Sequence, residues 1–230
     1  VKPRLLDLFC GAGGCTKGYQ DAGFYVVGVD IEPQPNYCGD EFVQDDALFW
    51  MRHGLRWRRR HNDVRSFDAI HASPPCQTYS SAMRHLADVK PQQIDAIREL
   101  LVASGLPWVI ENVPGAPLVV DSNLFGDHGV ELCGSMFGLR IRRHRLFETN
   151  FPVSPPAPCD HSRPAMNPHN SASRKAIGYA PERQWGEEMG VSWMGKDETR
   201  QAIPPSYTEH IGSYLLSHIE AETAATRKAA

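Results

Sequence analysis

An α/β fold, with a mostly parallel sheet and helices on both faces, is predicted by three features of this 230-residue sequence. Strand-like apolar runs alternate with helical ones, the pattern of strands joined by crossover helices. The run Leu5-Leu6-Asp7-Leu8-Phe9 passes straight into the glycine loop Cys10-Gly11-Ala12-Gly13-Gly14. A second run, Phe67-Asp68-Ala69-Ile70-His71-Ala72, is stopped by two prolines in Ser73-Pro74-Pro75-Cys76-Gln77. Proline fixes φ and removes an N–H donor, so Cys76 sits on a stiff loop at a strand's carboxyl edge, where open α/β sheets collect ligands.

In chain order, strands are expected at Arg4–Phe9, Tyr25–Asp30, Phe42–Gln44, Phe67–Ala72 and Trp108–Asn112. Helices are expected at Gly14–Ala22, Ala47–Arg56 and Pro91–Ser104, the last opened by a proline at an N-terminal helical position. Val130–Phe137 and Arg143–Thr149 read as later sheet elements. From Asn150 to Arg183 the composition turns to proline, serine, asparagine and histidine, a long and weakly structured insert. A helix from about Tyr207 to Glu222 closes the chain, and Ala224–Ala230 is expected to fray. The organisation is therefore a core of 1–149, an insert of 150–183 and a C-terminal segment of 184–230 that completes the core.

Composition bounds the function. Apolar content of 41% and charged content of 22% are ordinary for a globular domain, and no apolar run is long enough to span a bilayer. The sequence opens on Val1 without a signal-peptide pattern, so a processed start and a cytoplasmic location are expected. Six cysteines without a framework spacing fit reduced thiols. A net charge of −3 supplies no global attraction to nucleic acid, so any such binding must come from local patches.

The candidate chemistry lies at the strand ends. Gly11, Gly13 and Gly14 let the backbone turn tightly beside a ligand, and the helix that follows offers free N–H groups. Asp30 ends the second strand, where a carboxylate accepts from ribose hydroxyls in doubly wound folds. The glycine spacing is neither G-x-G-x-x-G nor followed by G-K-[ST], which argues against NAD and ATP. Asp45-Asp46 could meet an adenine amino group, although its plainer role is a helix N-terminus. A cysteine is ordinarily a packing residue, but the double-proline loop argues that Cys76 is a presented nucleophile. Glu111, at the end of the next apolar strand, should emerge on the same edge with its pKa raised by desolvation, whereas a solvated strand end would leave it ordinary. If Arg143–Phe147 is a strand, Arg143 and Arg145 share one face and His144 takes the other. Two guanidiniums on one face suit a phosphate or a pyrimidine carbonyl. Cys133, Cys159 and His161 are conceivable metal ligands, but no C-x-x-C pair supports them, and no metal is expected.

These motifs, in this order, resemble the DNA (cytosine-5) methyltransferases over nearly the whole chain. Asp7–Gly14 is similar to the family's S-adenosylmethionine loop, Pro75-Cys76-Gln77 to its catalytic loop and Glu111-Asn112-Val113 to its substrate-glutamate motif. Arg143-His144-Arg145 is similar to its paired arginines. Gln201-Ala202-Ile203-Pro204-Pro205-Ser206-Tyr207, followed by Ile211-Gly212, resembles its closing motif. The resemblance implies a Rossmann-like methyltransferase fold, a seven-stranded sheet whose last strand is antiparallel. It implies S-adenosylmethionine as cofactor, held by Asp7, Phe9, Cys10, Gly11, Gly13 and Gly14 on the first loop. Asp30, Ile31, Asp46, Ala47, Pro74, Gln201 and Ala202 would complete that pocket. Catalytic roles fall to Cys76, Glu111, Arg143 and Arg145, and substrate contacts to Ser73, Pro75, Gln77, Ser80 and Asn112. The partner implied is duplex DNA with the target cytosine flipped out, bound by a monomer.

Two departures qualify that picture. The family usually carries a large target-recognition domain where only 150–183 stands, so sequence reading should be short or relaxed. Arg200-Gln201 replaces the common Gly-Asn, which leaves open a cofactor with an extra carboxylate. Gly186–Met194 resembles a segment of small phage-type members, so a phage or prophage origin in a bacterial host is expected. The same chemistry on tRNA, and a non-catalytic DNA-binding module of this fold, are the alternatives.

Overall fold

The computed structural model describes residues 1–56, 63–75, 93–120, 129–162 and 182–229. Cys76, Gln77 and Ser80 lie outside the described residues, as do Pro91 and 163–181 of the insert. The strands are β1 (Arg4–Leu8), β2 (Tyr25–Asp30), β3 (Glu41–Gln44), β4 (Ala69–Ala72), β5 (Trp108–Asn112), β6 (Gly129–Leu132) and β7 (Arg145–Thr149). They form one seven-stranded sheet in the order β3-β2-β1-β4-β5-β7-β6. β1 to β5 pair in parallel, and β7 runs antiparallel to both β5 and β6. This is the expected Rossmann-like methyltransferase sheet, with its last strand reversed.

Period-two alternation assigns each strand residue to a face. Leu5, Val26, Ala69, Val109 and Phe147 pack with Tyr19 of α1 (Gly14–Ala22) and with Tyr207, Ile211 and Leu215 of the C-terminal helix α6 (Pro205–Ala229). Leu6, Leu8, Val27, Val29, Ile70 and Ile110 pack on the other face, against Trp50 and Met51 of α2 (Ala47–Arg56) and Ile97 and Leu101 of α3 (Ile94–Ser104). All residues of β4 and β5 are buried, as strands covered on both faces must be. Two short helices, α4 (Glu182–Met189) and α5 (Lys196–Gln201), return the chain toward α1.

Several expectations are corrected. β4 is shorter than Phe67–Ala72, because Phe67 caps a 3₁₀ turn over Val64–Ser66. Val130–Phe137 is two elements: β6 ends at Leu132 and Gly134–Phe137 is a 3₁₀ turn closed by Gly138 at φ +73°. β7 begins at Arg145, so Arg143 precedes the strand and does not share a strand face with Arg145. The final helix continues to Ala229 instead of fraying from Ala224. The Oγ1 atoms of Thr223 and Thr226 donate to the carbonyls one turn back, and Arg227 and Lys228 complement the helix dipole.

α1 and α6 meet through Gly18. A Cβ there would lie 2.1 Å from the Pro205 carbonyl oxygen and 2.2 Å from Thr208 Oγ1. Thr208 Oγ1 already donates to the Cys15 carbonyl at 2.8 Å, so neither side can yield cheaply. Helix propensity alone would make Gly18→Ala stabilising by about 1 kcal/mol. Overpacking reverses the sign, and a loss of about 1–3 kcal/mol is expected in urea unfolding. Gly186→Ala in α4 is the control, because its Cβ would find no atom nearer than 3.5 Å. That variant should gain about 0.5–1 kcal/mol.

Candidate active site

The loop after β1 is built for close approach. Phe9 has φ +59°, the one positive value outside glycine among the described residues, and Gly11 and Gly13 follow at +51° and +91°. A side chain held in that region costs of order 1–3 kcal/mol, and such strain gathers at ligand sites. The loop is held by Asp30, whose Oδ2 accepts the Gly11 N–H at 2.9 Å and whose Oδ1 accepts the Glu32 N–H at 3.0 Å. Each carboxylate oxygen keeps a lone pair for a further donor. A Cβ on Gly11 would meet nothing within 4 Å, and the N-cap Gly13 has no side chain to cap α1, so open space lies at the N-terminus of a helix. Ile31 lies exposed beside Asp30. These features fit a nucleoside-bearing cofactor with a carboxylate at the helix end. Asp46 Oδ1 accepts the Phe49 N–H at 2.7 Å and caps α2 ahead of buried Ala47.

The chain's end closes over this loop. Gly14 lies against Ala202 and Ile203, where an added Cβ would be 2.6 Å from the Ile203 carbonyl oxygen. Ala202 is buried there, and Gln201 is exposed. Trp193 Nε1 donates to the Ala12 carbonyl at 3.1 Å. The segment after β2 also covers the loop, with the Cys38 thiol donating to the Gly13 carbonyl at 3.2 Å and Tyr37 packed on Gly28. Trp193, Tyr37 and Cys38 were not anticipated from sequence, because aromatic and thiol packing on a glycine leaves no local pattern. The Arg200 guanidinium rests on Asp197 at 3.1 Å.

Asp7 lies beneath the loop, completely buried, with Oδ2 accepting from Thr16 Oγ1 at 2.5 Å. Burial, with the charges of Asp30 and Glu111 adding to it, raises its pKa from 3.8 to about 7. Cys10 is also buried, and desolvation pushes its thiol far up, which removes it as a nucleophile.

The second strand edge carries the acid. Glu111, near the end of β5, is 6% exposed, and Arg145 Nε on the antiparallel β7 stands 3.1 Å from its Oε1. Desolvation raises the Glu111 pKa, and Arg145, a hydrogen bond from Ser73 and Arg143 pull against it. Behind it runs a buried relay: Tyr19 OH lies 3.0 Å from His71 Nδ1, and His71 Nε2 lies 2.8 Å from Ser73 Oγ. Burial lowers the His71 pKa to about 3, so the ring is neutral. With the Nε2 proton directed to Ser73, every donor in the chain points toward Glu111. His71 was missed in the sequence because it reads there as one more residue of an apolar strand.

Asn112 has a structural contact of its own. Expected to touch substrate, it is completely buried, and its Nδ2 donates to the Pro74 carbonyl at 2.9 Å. It therefore pins the loop two residues before Cys76. Pro74 is buried by this contact, and Pro75 is exposed. Arg143 Nη2 donates to the Arg200 carbonyl at 2.8 Å, and Tyr207 OH donates to the Arg143 carbonyl at 2.7 Å. The paired arginines thus divide: Arg145 holds the acid, and Arg143 holds the closing motif.

The family model for C-5 cytosine-specific DNA methylase matches residues 3–117, half of the chain, from the glycine loop through the Glu111 strand. The chain belongs to this family. S-adenosylmethionine is the cofactor of this family of methylases, and the loop described above fits it. A type II methyltransferase of Haemophilus parahaemolyticus, M1.HphI, is 34% identical over 85 residues, 34% of this chain and 22% of that one. M.AquIA, a type II methyltransferase of Picosynechococcus, is 27% identical over 126 residues, half of each chain. The chain thus spans half or less of the length of these curated relatives. Among solved structures, Entamoeba histolytica EhMeth superposes with a TM-score of 0.58 at 10% identity, covering 95% of this chain and 99% of that one. Schizosaccharomyces pombe Dnmt2 gives 0.54 at 14% over the same shares. At those identities the likeness concerns the fold alone.

Asp7 makes the stability of the chain pH-dependent. Its pKa is higher folded, about 7, than its ordinary 3.8, so its contribution is full below about pH 4 and is lost as pH rises through 7. Wild type should therefore lose ground to Asp7→Asn between about pH 4 and pH 7, by at most about 4 kcal/mol, with a plateau above. Urea unfolding of the pair across that range reads the difference, and subtraction removes the opposite trend from His71.

Proposed function

We propose that this chain is an S-adenosylmethionine-dependent DNA cytosine C5-methyltransferase working through a covalent Cys76 adduct. The observation that carries the proposal is the buried Glu111–Arg145 pair at 3.1 Å, on the same sheet edge as the Pro74 loop that Asn112 holds. Carbon 5 of cytosine is a poor nucleophile. Addition of the Cys76 thiolate to carbon 6 makes the ring an enamine, and carbon 5 can then attack an electrophile. S-adenosylmethionine supplies that electrophile as a sulfonium methyl.

The protein's own residues manage the protons and the geometry. A carboxyl group with a raised pKa can hold a proton at ring N3, relieving charge as the adduct forms. Arg145 keeps that carboxyl in place and offers its remaining donors toward the O2 carbonyl. Asn112 and the two prolines limit the freedom of the thiol, which saves ordering entropy at the moment of attack. Loss of the carbon 5 proton to water, with elimination of Cys76, completes the turnover. Because a duplex buries these ring atoms, the target base is flipped out, at a cost of about a few kcal/mol.

Cys76→Ser should lower methyl transfer more than about a thousand-fold with cofactor affinity nearly unchanged, because a hydroxyl cannot replace a thiolate at neutral pH. Glu111→Gln should lower kcat by about 10²–10⁴-fold. Tritiated-methyl transfer to DNA and trapping on 5-fluorocytosine DNA measure both. Substantial transfer by the serine variant overturns the nucleophile assignment, and transfer to tRNA in preference to DNA overturns the substrate.

Specificity should be short. Base-edge readout needs several side chains on a scaffold shaped to the groove, and the 150–183 segment is small and proline-rich. We expect a context of about two to four bases, with binding that weakens steeply as salt rises. Bisulfite sequencing of DNA methylated by this chain alone reads the context, and a single defined site of about six or more base pairs would refute it.

A further inference from the structure

Cys133 follows β6 directly, and His144 immediately precedes β7. Cys159 and His161 stand beyond β7, in the first part of the 150–183 insert. One donor atom from each of these four residues lies within 4.8 Å of every other. His161 Nε2 is 3.4 Å from Cys133 Sγ, 3.0 Å from Cys159 Sγ and 3.1 Å from His144 Nε2, and Cys159 Sγ is 3.7 Å from His144 Nε2. A tetrahedral zinc with Zn–N of about 2.0–2.1 Å and Zn–S of about 2.3 Å has ligand–ligand edges of about 3.3–3.8 Å. Two of these four spacings, 3.4 and 3.7 Å, fall on those edges, and the other two, 3.0 and 3.1 Å, are slightly shorter, so small side-chain adjustments would seat the ion.

The outer contacts point the same way. Glu131 Oε1 meets His144 Nδ1 at 2.6 Å, so the Nε2 lone pair faces the cluster, the carboxylate–histidine arrangement common behind metal ligands. The His161 carbonyl accepts from Arg142 Nη2 at 2.5 Å, which fixes the fourth residue. Ser135 Oγ lies 3.4 Å from both sulfurs and can donate to a thiolate. Two imidazole nitrogens 3.1 Å apart beside two thiols have few donors among them, and one cation answers all four lone pairs. The missing C-x-x-C pair is no obstacle, because sheet ends bring these ligands together, not a local knuckle.

We propose that Cys133, His144, Cys159 and His161 bind one zinc ion in a closed structural site. Soft thiolates with imidazoles in tetrahedral array select zinc among the common divalent ions, and four protein ligands leave no open position for catalysis. The ion ties residues 159–161 to the β6–β7 pair. It also anchors His144, which lies between Arg143 on the closing motif and Arg145 on Glu111.

The test measures metal and does not depend on methyl transfer. Protein purified in reductant without chelator should carry about one zinc per chain by mass spectrometry. Cobalt(II) exchange should produce tetrahedral ligand-field bands with thiolate charge transfer. Cys159→Ser and His161→Ala, both at exposed positions, should lose zinc more than about ten-fold with unchanged far-UV circular dichroism, whereas Cys38→Ser retains it. Glu131→Gln should keep the site but weaken zinc about ten- to a hundred-fold in chelator competition. Folded wild-type protein that holds no zinc as purified, and none after incubation with zinc sulfate and desalting, overturns the proposal. So does a Cys133–Cys159 disulfide in protein kept reduced.

Discussion

A carboxylate taken out of water at the end of a buried strand must be neutral or answered by charge. Glu111 is answered by Arg145, and the rest of the site is arranged around that pair. The two residues can meet because β7 runs antiparallel to β5, in a register that sets Glu111 opposite Phe147 and Asn112 opposite Leu146. A parallel seventh strand would present its other end at this edge. The reversal of one strand is therefore what lets the pair form, and breaking it would cost about 3–5 kcal/mol by leaving a buried charge unpaired.

The pair also explains why the chain's end returns to its beginning. Arg143 and Arg145 are two residues apart, yet one is bound to the Arg200 carbonyl and the other to Glu111. Tyr207 adds a hydrogen bond to the Arg143 backbone, and Ile203 closes on Gly14 of the cofactor loop. A displacement of the closing motif would thus be felt at both the cofactor loop and the acid. The buried line Tyr19–His71–Ser73 connects α1 to the same acid from below. Preorganisation of this kind holds charged groups in place so that they need not reorganise around a ligand.

The parts legible in the sequence were those whose physics is local. Glycine after a strand, proline after a strand and a carboxylate at a strand end each state their own geometry, and α1, α2, β2 and β5 occupy the expected residues. The contact that Asn112 makes was not legible, because the Pro74 carbonyl it binds is 38 positions away. His71 and Trp193 were invisible for the same reason, since their partners are set by topology. Arg143 was misplaced by a two-residue error in a strand boundary, enough to move it from one face of a strand to another element's carbonyl.

The cysteine–histidine cluster shows how far that difference between local and assembled information extends. Its four residues sit at 133, 144, 159 and 161, spacings that match no knuckle, and they converge only because β6 and β7 are paired. Leu132 pairs with Arg145 in that ladder, so the residues flanking it, Cys133 and His144, are brought to the same end of the strand pair. The other two members, Cys159 and His161, lie in the first part of the 150–183 insert. A rigid anchor there costs little, because the ladder has already ordered two of its four members. It gives the proline-rich stretch that follows a fixed point on the sheet.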